Sequence, residues 1–336
     1  MPFQIVRNNI ASMPVDAIVN AANSRLQMGG GVCGAIFNAA GPYELQRACD
    51  QIGSCATGDA VITPGFNLPA RYVIHAVGPV WQGGSYNEEA LLRSAYTRSL
   101  EIARQNNLHS IAFPLISSGI YGYPNAQALQ VALSAIQEFL LNADDMDVYL
   151  VVFDRTAFCL SEKLTNRVES YISEHFIETV EASQRMRRRQ MEEFRLSESC
   201  PAPTPLGKAT ASLEELLAHR HEETFSEMLL RLVDEKGFTK DSIVYKRANL
   251  ERSVFSKLRS NKDYTPSKST ALALCIALEL NLDQTKDLLT RAGLALSPSN
   301  LGDVIVSYFI ENQRFDIFEV NAALFHYNQP PLGAKG

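Results

Sequence analysis

DAIVNAANSRLQMGGGVCGAIFNAAGP, residues Asp16–Pro42, runs from a buried β-branched strand through a polar turn into three consecutive glycines and then a helical pattern. Glycines let backbone amides approach a ligand closely, and the N-terminus of the following helix favours anionic groups. A phosphate is therefore expected at that junction. Gly29-x-Gly31-x-x-Gly34 also satisfies the dinucleotide fingerprint. That motif starts directly after its strand and is followed by an acidic residue about 20 positions on. Here NSRLQM intervenes, which argues against it. The alternative reading of the glycines, taken alone, is a structural loop packed closely on a helix.

Working outward, β-branched runs FQIV, DAIVNAA, AVIT, YVIHAV, SIAFPLI and VYLVVF alternate with helical periodicities such as Asn87–Gln105 and Ala126–Leu141. Strand candidates apolar on both faces predict a sheet covered by helices on either side, a three-layer α/β/α sandwich. From Phe158 to Phe194 the pattern is helical and then charged, ending in RMRRRQMEEF; Arg185–Arg189 read as a solvated helix face. Ser197–Ala211, rich in Pro, Ser, Ala and Thr, reads as a linker. The remainder shows helical patterns at Phe225–Lys236, Lys240–Arg247, Glu251–Ser260, Ser267–Leu280, Leu282–Ala292, Leu301–Asn312 and Asp316–Tyr327. The expected organisation is an α/β domain over 1–175, a charged helix and linker over 176–212, and a separate all-α domain over 213–330.

The 336 residues suit two domains, and the net charge of −6 provides no global attraction to nucleic acid or anionic membranes. No run approaches the length of a membrane helix, and MPFQIVRNNI lacks a signal-peptide plan. A cytoplasmic location with no membrane partner is expected. Cys33, Cys49, Cys55, Cys159, Cys200 and Cys275 show no C-x-x-C spacing, so free thiols and no metal site are expected.

A second glycine loop, ISSGIYGYP at Ile116–Pro124, follows a strand candidate, and YVIHAVGPVW spans Tyr72–Trp81. In order and spacing these segments, with NAAN and GGGV, resemble the macro-domain family over about 155 residues. The resemblance implies a mixed sheet and recognition of ADP-ribose or a derivative, free or attached to a macromolecule, with no cofactor. It places Asn23 at the distal ribose, where an amide both donates and accepts. Gly30, Gly31 and Val32 would lie along the diphosphate and distal ribose on one side. Ser117, Ser118, Gly119, Ile120 and Tyr121 would wrap the phosphates on the other. Oxyanions would be held mainly by backbone N–H groups, without lysine or metal. Phe153 matches an aromatic against the adenine end, though as a bare feature it reads as a core strand residue.

Two positions depart from the family pattern. Where the family carries the aspartate of a D-I-T stretch, which accepts from the adenine amino group, this chain reads NNIA with Asn9. Asparagine still accepts, without charge assistance. Where members resembling mono-ADP-ribosyl hydrolases read GGGVD, this chain reads GGGVCG. Cys33 thus replaces the acid that helps activate water. A neutral thiol is a poor base near neutral pH, and a small buried cysteine is more often packing than chemistry. Asn23 and Cys33 are the candidate catalytic residues should the chain act as an ADP-ribosyl hydrolase or O-acetyl-ADP-ribose deacetylase; the departures favour binding. His75 and Asp16 read as structural.

Thr224–Leu289 resembles, more weakly, a phage-repressor-type helix-turn-helix domain, with Lys240–Arg247 as first helix, Ala248–Leu250 as turn and Glu251–Ser260 as recognition helix. That resemblance implies Arg252, Ser253, Ser256 and Lys257 facing DNA. Lys236–Lys268 holds nine basic residues (236, 240, 246, 247, 252, 257, 259, 262 and 268) against Asp241, Glu251 and Asp263. Such a patch suits phosphate contacts, although the same packing also serves protein partners. The apolar last two helices suit a bundle cap or dimer seam.

Overall fold

The computed structural model describes residues 3–142, 146–153, 160–175 and 223–333; Arg185–Arg189, the Ser197–Ala211 linker, Cys159 and Cys200 lie outside them. Six strands, β1 (Phe3–Arg7), β2 (Ala17–Ala21), β3 (Ala60–Pro64), β4 (Tyr72–Ala76), β5 (Ser110–Phe113) and β6 (Asp147–Val152), form one sheet in the order β1-β6-β5-β2-β4-β3. All neighbours are parallel except β3, which runs antiparallel to β4. The six apolar runs of the sequence each supply one strand.

Alternation along the strands divides the core. Ile18, Val73, Ala112 and Val151 face helices α1 (Gly31–Ala40) and α2 (Pro42–Ile52), meeting Ile36, Phe37 and Leu45. Val19, Ile74, Ile111 and Leu150 point the other way, onto Leu92, Tyr96 and Ile136 of α3 (Glu88–Gln105) and α4 (Asn125–Asn142). Two buried faces explain why the strands read as continuous apolar runs. Asp16 fixes the start of β2: its carboxylate accepts from the amides of His109 (2.8 Å) and Ser110 (3.1 Å), beside the start of β5.

After residues 162–175 (α5) come α6 (Phe225–Glu235), α7 (Asp241–Arg247), α8 (Arg252–Ser260), α9 (Lys268–Ala277), α10 (Leu282–Arg291), α11 (Leu301–Glu311) and α12 (Ile317–His326). Side-chain caps set the starts of α6, α9, α10, α11 and α12: Thr224 and Asn281 form capping boxes with Glu227 and Gln284, while Ser267, Asn300 and Asp316 accept first-turn amides.

This helical region packs on the open side of β1. Phe3 presents its amide to Asn249 Oδ1 (2.7 Å) and its carbonyl to Asn249 Nδ2 (2.9 Å), so one side-chain amide acts as a strand partner. The Phe3 ring meets Phe318 at 4.6 Å, and Gln137 of α4 donates to Asp316 at 3.1 Å. On α5, Tyr171 meets Tyr308 edge-on at 5.4 Å. Buried apolar residues of both regions form one continuous cluster.

Asn249 lies in the α7–α8 turn with φ of +54°, a left-handed conformation that asparagine tolerates better than most residues. Gly333 covers the same turn, and an added Cβ there would come within 2.5 Å of the Ala248 carbonyl oxygen. Asn249→Ala leaves both polar groups of Phe3 without their partner, each a penalty of about 1 kcal/mol or more. A loss of about 2 kcal/mol is expected, measured by urea unfolding of the full chain.

Candidate ligand-binding cleft

The carboxyl ends of β2, β4 and β5 open onto a cleft of about 330 Å³. Ligands commonly bind at this end of open α/β sheets. One wall is Gly29–Cys33 with Asn23 behind it; the other is Leu115–Ser117 and Gly119–Tyr121, with Gly78 between. The walls approach each other over the cleft: a Cβ on Gly30 would lie 3.6 Å from Ile120 Cδ1.

Both walls present backbone donors. Gly31, Val32 and Cys33 form the first turn of α1, where amides have no intrahelical acceptor; the first such bond comes from Gly34 to the Gly30 carbonyl at 3.5 Å. Opposite, the amides of Gly119, Ile120 and Tyr121 meet no acceptor among the described residues. The loop carrying them is braced by the Tyr123 amide on the Ser117 carbonyl (3.0 Å) and the Trp81 amide on the Tyr121 carbonyl (2.8 Å). Glu88 holds the segment after Trp81 by accepting from the amides of Gln82, Gly84 and Tyr86.

Ser117, Gly119, Ile120 and Tyr121 line the cleft, whereas Ser118 does not; its hydroxyl donates to the Leu115 carbonyl at 2.8 Å. Ser117 takes a left-handed φ of +64°, and its Oγ would sit 2.2 Å from a Cβ on Gly78. A side chain at position 78 would therefore displace Ser117 Oγ and Ile116 Cγ2 from the second wall. Sequence reading passed over Gly78 and Glu88; the signal for Gly78 is the glycine of HAVGPVW, immediately after β4.

Asn23 lines the cleft but is largely committed to its own turn. Its Oδ1 accepts from the amides of Arg25 (3.1 Å) and Gln27 (3.2 Å), and Nδ2 donates to the Gln27 carbonyl (2.7 Å). With both acceptor sites and one donor used, a single N–H remains for a ligand. Asn9 and Phe153 stand outside the cleft lining, each just beyond the end of one of the paired strands β1 and β6. Asn9 Oδ1 caps the short turn Ile10–Ser12 by accepting from Ala11 at 3.1 Å. Phe153 is 79% exposed just past the end of β6, so it is not the core strand residue that its sequence context suggests.

Cys33 forms part of the wall and is 5% exposed. Its sulfur accepts from the Gly29 amide (3.4 Å) and Asn20 Nδ2 (3.6 Å). Beneath it, Asn20 Nδ2 meets His75 Nδ1 at 3.1 Å, and Thr63 Oγ1 meets His75 Nε2 at 2.9 Å. Burial lowers the His75 pKa from 6.5 to about 4 and, as the largest cause, raises the Cys49 thiol to about 11. Neutral His75 is thus a structural hub. Burial, reinforced by Cys33, also keeps the Tyr121 phenol above its ordinary range.

Between pH 6.5 and 4 the unfolded chain protonates His75 while the folded chain does not, so acidification erodes stability. The expected loss is about 3 kcal/mol across that window, at about 1.4 kcal/mol per pH unit. In His75→Gln this component of the pH slope should vanish, as measured by denaturant unfolding from neutral to acid pH.

No Asp or Glu lines the cleft. Among the described residues there is no cluster of His, Cys, Asp and Glu able to hold a metal ion, and no helix is long and apolar enough to cross a membrane. On α8, the exposed face carries Arg252, Ser253, Ser256 and Lys257 together. The charge excess of that stretch is smaller in space than in sequence. Arg247 pairs with Glu279, Arg259 with Asp241, Lys262 with Glu227 and Lys268 with Asp303, so three of the four acidic partners come from outside the counted segment.

A family model for the macro domain matches residues 19–132. A protein from Escherichia fergusonii named O-acetyl-ADP-ribose deacetylase is 47% identical over 171 residues, covering 49% of this chain and 94% of the relative. This chain belongs to the macro-domain family. A macro domain-containing protein of Methanosarcina mazei is 50% identical over 162 residues, covering 48% of this chain and 86% of its own. The Oceanobacillus iheyensis macrodomain solved with ADP is 42% identical with a TM-score of 0.45, covering 49% and 91% of the two chains. Each of these three relatives matches about half of the present chain.

Proposed function

We propose that this protein binds ADP-ribose, or a derivative free or attached to a macromolecule, in the cleft between Gly29–Cys33 and Leu115–Tyr121. The observation that carries this reading is the pair of opposed loops whose unpaired amides face a space without carboxylates. Neutral donors of this kind suit a diphosphate. The remaining Asn23 N–H suits the distal ribose, and Asn9 with the exposed Phe153 ring suits the adenine. Calorimetry of the full chain with ADP-ribose tests it. Saturable heat with a Kd below about 1 mM, or about −4 kcal/mol, is expected. No heat from folded protein at millimolar ligand would remove the reading.

Hydrolysis is the alternative, supported by the deacetylase name of relatives nearly half identical to this region. Cys33 in place of an acid leaves the wall without an ordinary general base, so binding with little turnover is the favoured form. Release of acetate from O-acetyl-ADP-ribose, or of ADP-ribose from modified protein or nucleic acid, measures the difference. Turnover above a Gly31→Glu control would favour the enzyme.

For the helical region we propose an effector role through the outer face of α8, on DNA or a protein partner. Arg252 and Lys257 have no ion-pair partner among the described residues, leaving them available for phosphate. If DNA is the partner, Arg252→Ala and Lys257→Ala each weaken binding and reduce the salt slope by about 1. Unchanged binding in both variants would discard α8 as the contact surface. A DNA regulator with an unused cleft would bind DNA without response to ADP-ribose.

A further inference from the structure

We infer that the cleft and the helical region are energetically coupled through edge strand β1, each stabilising the other's bound or docked state. The inference rests on the ADP-ribose reading, because that ligand is what loads the cleft end of the strand.

The strand lies at the edge of the sheet and pairs only with β6, in register from Phe3–Val148 to Arg7–Val152. An edge strand has a sheet partner on one side only, so paired against unpaired β1 is a two-state element that contacts at either end can bias. At its start, the open side of Phe3 is held by the Asn249 amide and the ring by Phe318. At its end, the Asn8 amide reaches the Val152 carbonyl at 3.3 Å, and Asn9 and Phe153 follow immediately. The strand is five residues long, about 17 Å.

An adenine bridging Asn9 and Phe153 would tie β1 to β6 at the cleft end. The helical region ties it at the other. Both favour the paired state, so each lowers the ordering cost met by the other, and linkage makes the effect reciprocal. Asn249 stands three residues before Arg252 at the start of α8, so stabilisation of β1 reaches the turn from which the exposed α8 face projects. Gly333 packs on the same turn.

Hydrogen exchange on the full-length protein, with and without saturating ADP-ribose, tests the coupling, with calorimetry alongside to establish binding. Amides of β1 and of residues 248–251 and 316–321 are expected to exchange at least about fivefold more slowly with ligand. Phe318→Ala, which removes a ring contact far from the cleft, is expected to weaken ADP-ribose about three- to tenfold. Binding accompanied by protection only at 29–33 and 117–121 would overturn the coupling and leave the ligand reading intact. Absence of binding would overturn both.

Discussion

The Gly31→Glu protein is expected to fold normally and to lose ADP-ribose affinity by about 1000-fold, close to 4 kcal/mol. Two effects combine. Gly31 has φ of +61°, which a residue with a Cβ adopts at a cost of about 1 kcal/mol, loosening the first turn of α1. The larger effect is charge, since a carboxylate among the amides of Gly31, Val32 and Cys33 occupies the space proposed for the diphosphate and repels it. Nothing lies within 4 Å of a Cβ at this position, so the fold can accept the side chain. Calorimetry measures the loss and circular dichroism the fold. Affinity within tenfold of the parent would place the phosphates elsewhere.

Cys33→Asp is expected to raise release of acetate from O-acetyl-ADP-ribose by about 100-fold or more, the range a positioned general base supplies. The surroundings already offer what a carboxylate there needs. The Gly29 amide and Asn20 Nδ2 both donate towards the Cys33 sulfur and would satisfy one carboxylate oxygen. The other oxygen would face the cleft. Cys33→Ser provides the comparison, because it retains a small polar side chain without a base, and should show no gain. A Cys33→Asp protein that binds ADP-ribose as well as the parent yet turns over no faster would show that the missing acid is not what limits chemistry.

The sheet was largely legible in the sequence because β-branched runs buried on both faces have few other interpretations, and the glycine loops because glycines before a helix N-terminus offer backbone amides to an anion. Side-chain commitments were not legible. Asn23 reads as a ribose ligand by its motif, yet whether its amide is free depends on how residues 25–27 turn back on it. The basic stretch looked like a strongly positive surface because Glu227, Glu279 and Asp303 lie outside it in sequence and return to it only in the fold. Asn249 carried no signal at all. An asparagine in a short interhelical turn is commonplace, and its role depends on Phe3, 246 positions earlier.

The placement of Asn249 also bears on self-association. An open mixed sheet of this kind has two margins at which a strand from a second molecule could add, a common route to aggregation. At one margin the Asn249 amide already occupies the Phe3 backbone, beneath a layer of helices. At the other, β3 ends in Pro64, which has no N–H to offer. Strand addition is therefore hindered at Phe3 on one margin and at Pro64 on the other.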